Sequence, residues 1–230
     1  MGAGGKSSAI VQAARELKEA GTPVLVAPTT KMFISEAEEI GPVLTSEDKD
    51  ELLSKSADIL AEEGAVVVGS TILSKKRVDG VEAAWVPVLA PKDGVTLVEA
   101  DGARRRPLKG TAAHEPLLPE GATLVVAVGG IRALGESLDE GHVHRPEVFS
   151  ELTGVGLGQT IDARVFARAL LAGLWAVPDG TGRGALLADV EPGQSMSDAS
   201  VVAHQLWREG VPKVFLSSLP KETPGRIWVL

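Results

Sequence analysis

The first residues able to do chemistry stand at the start of the sequence, "GAGGKSS" at 2–8. Glycines let a backbone fold round an anion with its N–H groups turned inward, a lysine meets β- and γ-phosphates, and a hydroxyl reaches Mg²⁺. Gly4, Gly5, Lys6 and Ser7 supply those parts, with Gly2 and Ser8 beside them. The full pattern also has a glycine five residues before Gly5, closing a buried strand. The expectation is therefore a phosphate loop without its first glycine and lead-in strand. The competing reading is a capped turn with a solvated lysine.

"TLVEADGARRRPLK" at 96–109 bears on that choice. An apolar strand running into Glu99 and Asp101 sets carboxylates at a carboxyl end, where open α/β sheets bind ligands. In P-loop proteins an acid there holds Mg²⁺ directly or through water, and Asp101 is the first candidate. Arg104, Arg105, Arg106 and Lys109 then place four positive charges within six residues, either a solvated basic turn or a grip on triphosphate or another anionic substrate. The acids could instead pair with these arginines. In "APTTKM" at 27–32, Thr29 and Thr30 follow another strand; each is a ligand for Mg²⁺ or γ-phosphate, or a helix cap. His142 and His144 alternate, a spacing that could present two imidazoles to a metal.

The elements that must carry these groups read as βα units round a mostly parallel sheet with flanking helices. Continuous apolar runs place strands at 23–28, 65–69, 95–101, 123–128 and 213–218, with 83–88 as an edge candidate because Pro87 cannot donate to a ladder. Helical spacing marks 7–20, 46–63 with Thr45 and Ser46 as caps, 161–175, and 197–209 entered through Ser197. Glycines at 154–158 and 180–184 punctuate the second half. The chain is read as one domain over 1–230, with a helical C-terminal subregion from about 150, and Lys6, Thr30 and Asp101 are expected on one rim.

Composition narrows the chemistry. With no cysteine among 230 residues, disulfides, thiolate zinc sites and iron–sulfur clusters are excluded. A net charge of −8 argues against nucleic acid and anionic membrane as partners, and four Phe, four Trp and no Tyr leave little for stacking bases. No apolar run approaches the roughly 20 residues of a membrane span, so a cytoplasmic protein is expected.

"GAGGKSS", "TTKMF", "EADGARRRPLKG", "AAHEP" and "HRPE" together resemble the YqeC family, accessory factors for selenium-dependent molybdenum hydroxylases. The resemblance runs from Gly2 to about Glu191 and is most specific in "EADGARRRPLK". It implies a P-loop NTPase-like fold and a nucleotide-dependent part in maturing the selenium-containing molybdenum cofactor. It implies nucleotide binding on Gly4, Gly5, Lys6 and Ser7, and marks Thr30, Lys31, Glu99, Asp101, Arg104, Arg105, Lys109, His114, Glu115, His144 and Arg145 as site residues. Three departures stand out: the lead-in strand is absent, through a late start codon or trimming; Pro28 replaces a threonine; and "ADVE" at 188–191 replaces an Asn-Lys-x-Asp-like segment that would read guanine.

The reaction expected is that of a Mg²⁺-dependent ATP- or GTP-binding nucleotidase or phosphotransferase. The loop and Lys6 hold phosphates, Ser7, Thr30 and Asp101 hold the metal, and Glu99 orients water or an acceptor. The alternative is a non-catalytic, nucleotide-gated partner that docks a client molybdenum hydroxylase or a cofactor-maturation protein.

Overall fold

A computed structural model describes residues 1–74, 76–218 and 226–229. In chain order the elements are α1 (Lys6–Glu19), β1 (Val24–Val26), β2 (Met32–Phe33), α2 (Ile34–Glu38), β3 (Val43–Thr45), α3 (Lys49–Glu63), β4 (Ala65–Gly69), β5 (Ile72–Ser74), β6 (Arg77–Val78), α4 (Val86–Leu89), β7 (Val95–Leu97), β8 (Leu108–Lys109), β9 (Leu124–Gly130), β10 (Val143–His144), α5 (Pro146–Thr153), α6 (Ala163–Trp175), β11 (Gly182–Ala188), α7 (Gln194–Arg208), β12 (Val214–Ser218) and β13 (Arg226–Val229). They make a mixed α/β protein whose main sheets are largely parallel.

The chain divides into two compact units, one formed by Ser7–Gly102 with Leu117–Gly121, the other by Met1–Lys6, Ala103–Pro116 and the described residues from Ala122 on. The strands form two four-stranded sheets, a three-stranded sheet in the order β2-β6-β5 and a two-stranded pair, where sequence pattern groups them round one.

In the Ser7–Gly102 unit the order is β3-β4-β1-β7, all parallel. Alternation along the strands divides two apolar layers. Val24, Val26, Ala65 and Val67 pack with Val11 and Ala14 of α1, while Leu25, Val66 and Val68 pack with Leu52 and Leu60 of α3. Both faces are covered, which is why these strands read as unbroken apolar runs. The cap of α3 is Asp48 rather than Thr45 or Ser46, its carboxylate accepting from the N–H groups of Asp50 and Glu51. Residues 83–88 form no strand: a 3₁₀ turn at Ala83–Trp85 leads into α4. Pro87 falls in the first turn of that helix, where its missing N–H costs no bond.

The other unit holds the sheet β9-β11-β12-β13, parallel except for β13, and a short parallel pair β8-β10. β11 occupies an interior position that the sequence does not announce, because Gly182 and Gly184 make "GRGALLA" resemble a loop. From about 150 onward the chain alternates α6 and α7 with β11 and β12, so this region is not helical alone. Residues ahead of the glycine turn are also paired. Gly2 forms a parallel bridge with Val128, the Met1 ammonium donates to Val126 O at 3.0 Å, and the Ala3 N–H donates to Val128 O. A short parallel pairing therefore does lead into the turn, where the sequence pattern suggests none.

Candidate functional site

The glycine turn begins where that pairing ends. Gly2, Gly4 and Gly5 have φ of 96°, 69° and 114°, in the region that disfavours side chains. A Cβ at Gly2 would lie 2.3 Å from Val128 O, and one at Gly4 2.6 Å from Gly130 N and 2.7 Å from Pro107 O. The backbone thus turns tightly against the end of β9 and opens α1, a 14-residue helix with no acidic residue in its first turn. No carboxylate of that turn opposes the positive end of the helix dipole. Lys6 is buried and folds back so that Nζ donates to Gly2 O at 2.7 Å.

In the Ser7–Gly102 unit a second group of predicted residues comes together. β1 and β7 are parallel neighbours, so the segments leaving them emerge at the same edge. Pairing continues past the strands: the Thr29 N–H donates to Glu99 O at 3.1 Å and Thr29 Oγ1 to the same carbonyl at 3.2 Å. Ser7 Oγ donates to Glu99 Oε2 at 3.0 Å. Thr30 lies beside Gly102, its hydroxyl 4.0 Å from where a Cβ of Gly102 would stand, and Asp101 is buried at 2% exposure. Hydroxyl and carboxylate oxygens of this kind suit Mg²⁺, a hard cation. Lys31 and Ser8 are exposed.

The remaining predicted residues belong to the unit containing β8 and β10. Lys109 and His144 are direct partners across that parallel pair. Lys109 Nζ donates to Glu115 Oε2 at 2.7 Å, with side-chain exposures of 2% and 10%. Arg145 grips both oxygens of the same carboxylate, with Nη2 at 3.3 Å from Oε1. Burial pushes the Glu115 carboxyl up, but hydrogen bonds from Arg145 and Lys109 outweigh it and hold the group below its ordinary value of 4.5. Two cations thus share one anion. His144 stands beside this cluster: burial lowers its pKa first, and the charges of Arg145, Lys109 and Arg104 lower it further against the opposing Glu115. Arg104 and Arg105 are exposed at φ of 47° and 61°, and Arg145 caps α5 at φ 58°. Left-handed backbone at non-glycine residues is strained, and such strain clusters at functional sites. His114 is exposed and takes no part in the Glu115 cluster. His142 bonds Asp139 through Nδ1 and lies near Glu136. Among the described residues no three His, Asp or Glu side chains gather as a metal cage.

Among the described residues, the buried charged side chains are Lys6, Glu99, Asp101 and Lys109, each of which the sequence singles out. Sequence reasoning misses Asp189. This residue follows β11 at φ 62°, with Oδ2 standing 3.0 Å from where a Cβ of Gly130 would be and 3.6 Å from Arg132 Nε. Burial raises its pKa, Arg132 opposes that, and Glu191 adds to it. An acid directly after a buried strand is the available signal, lost because β11 itself is hard to read.

The family description "YqeC protein" matches residues 1–147. "Uncharacterized protein YqeC" of Escherichia coli (strain K12) is 34% identical over 157 residues, which cover 67% of this chain and 59% of that protein. The chain thus spans less than two thirds of that curated relative. No solved structure matches. Among the described residues no helix is long and apolar enough to cross a membrane. The family match takes in the glycine turn, the acids after β7 and the Lys109–Glu115–Arg145 cluster alike, and on it this chain belongs to the YqeC family.

Proposed function

We propose that the chain binds a purine nucleoside triphosphate with Mg²⁺ through a P-loop-like turn and serves in maturing a selenium-dependent molybdenum hydroxylase or its cofactor. The observation that carries the nucleotide reading is the turn itself: glycines at positive φ between a parallel pairing and a long helix, with the Lys6 ammonium resting on the Gly2 carbonyl. Backbone N–H groups in such a turn, together with a helix N-terminus, form an anion cradle. Lys6 would exchange the carbonyl of Gly2 for a phosphate oxygen. Ser7, Thr30 and Asp101 would hold Mg²⁺, which would neutralise charge on the β- and γ-phosphates. Glu99, already accepting from Ser7, would orient a water or acceptor hydroxyl. Arg104, exposed at φ 47°, would meet an anionic group on its loop. The maturation role rests on the family resemblance, and "ADVE" at 188–191 favours ATP over GTP.

Calorimetric titration of ATP and of GTP, with and without Mg²⁺, tests the reading. Binding is expected to need Mg²⁺ and to weaken at least about tenfold, roughly 1.4 kcal/mol, in Lys6→Ala. Absence of saturable binding to either nucleotide, or an unaffected Lys6→Ala, refutes it. Phosphate release by the wild type distinguishes a hydrolase from a nucleotide-gated partner.

A further inference from the structure

A second place in the molecule carries ligand chemistry that the nucleotide reading does not use. α6 and α7 pack together and leave a groove of about 450 Å³, within the range of small-molecule sites. Arg164, Arg168, Leu171 and Trp175 of α6 line it at spacings of four, three and four residues, so they share one helix face. α7 contributes Gln205 and Arg208, and Glu209 follows them. Three guanidinium groups therefore face one carboxylate in a chain of net charge −8. Among the described residues neither Arg164 nor Arg208 has an acidic partner within 4.0 Å. Arg168 is oriented by donating Nη1 to Thr153 O at 3.0 Å, which leaves its other donors available. Trp175 is 65% exposed, an apolar surface standing in water at the end of the basic stripe.

We propose that this groove binds a small, elongated organic phosphate with an aromatic body. The guanidinium groups provide forked donors that match phosphate oxygens, and the Trp175 ring with Leu171 provides a face for a planar apolar group. Arg168 and Trp175 are seven residues apart, about 10 Å along the helix at 1.5 Å per residue, a span that a phosphate on a fused aromatic ring covers. A volume of about 450 Å³ suits a small molecule better than a length of acidic peptide.

The test uses the full chain and 1-naphthyl phosphate as probe, with inorganic phosphate and 1-naphthol as its two halves and oligoglutamate as the peptide control. Saturable binding of 1-naphthyl phosphate is expected, at least about tenfold tighter than either half. It should fall at least about tenfold in Arg164→Gln/Arg208→Gln and in Trp175→Ala, and should be unchanged in Lys6→Ala. The variants are expected to melt with the wild type; should the double variant not, each single substitution is titrated separately. Absence of saturable binding, equal affinity for 1-naphthol, indifference to the arginine changes or loss in Lys6→Ala overturns the proposal. So does Arg208-dependent capture of oligoglutamate in place of the naphthyl compound. Because Lys6→Ala separates the two places, failure here leaves the nucleotide reading standing, and the converse also holds.

Discussion

Replacing Glu115 by Gln should be among the most damaging single-atom changes available in this chain. The substitution keeps the shape and one acceptor oxygen but removes the carboxylate that touches both Lys109 and Arg145. Lys109, with 2% side-chain exposure, then loses a counter-charge that stood 2.7 Å away. Deleting one partner of a buried pair costs about 3–5 kcal/mol, because the charge left behind stays desolvated. With one hydrogen bond retained, about 3 kcal/mol is expected, a fall of about 6–12 °C in Tm for a chain of this size. Arg145→Met removes the partly exposed cation instead and leaves Glu115 with Lys109, so it should cost less than about 1.5 kcal/mol. The Glu115 contribution is fully present above the ordinary carboxyl value of 4.5 and is lost as pH falls through its lowered folded value. The gap between wild type and Glu115→Gln should therefore close in acid. Thermal and urea unfolding of the three proteins at pH 7 and at pH 4 decides the matter. A loss below about 1 kcal/mol for Glu115→Gln, or equal losses for Glu115→Gln and Arg145→Met, would refute the reasoning.

Three further outcomes follow from backbone and charge. Gly4→Ala meets backbone atoms at 2.6 and 2.7 Å, so it should cost about 2–4 kcal/mol in urea unfolding, against about 1 for Gly21→Ala, which has φ 77° but open space around it; equal costs would mean the turn is not tightly held. Arg104→Gly should unfold within about 0.5 kcal/mol of wild type, since relief at φ 47° offsets added chain entropy, while affinity for triphosphate falls; a large stability loss would make Arg104 structural. The raised pKa of Asp189 means the folded state loses stability as pH rises above the ordinary 3.8, so Asp189→Asn, tolerated at φ 62°, should melt no lower than wild type at pH 7, with any gain vanishing in acid; a lower Tm at pH 7 would show that the Arg132 pair dominates.

Much of the fold is legible in local pattern. β4 and β12 lie within one residue of their expected positions because strands covered on both faces need unbroken apolar runs, and α1 and α6 follow from apolar spacing. β11 is hidden because glycine is a poor strand residue, permitted here where it packs beside β9 and β12. At 83–88 the apolar content is plain and its period is not, for six residues with a proline cannot separate strand from helix. For the candidate site, Lys6, Glu99, Asp101 and Lys109 are visible through residue type beside glycine or strand end. The convergence of Lys109 and Arg145 on Glu115 is not, because pairing between β8 and β10 brings together residues 35 positions apart in register, and no local pattern encodes that. Division of the strands between two sheets lies beyond sequence pattern for the same reason.

The pairing of Met1–Ala3 with Val126–Val128 also sets a timetable for synthesis. Residues 1–3 find their partners 125 positions later in the chain, a wait of roughly 6–25 s at 5–20 residues per second. Ser7–Gly102 is translated within that interval, and only Leu117–Gly121 must follow to complete its unit. Residues 1–6 are therefore made well before the segment they join. Long-range closure of this kind is slow because loop entropy must be overcome before the contact forms. Nascent chains stalled before Val126 should accordingly hold residues 1–6 open to protease while the β3-β4-β1-β7 sheet is already protected.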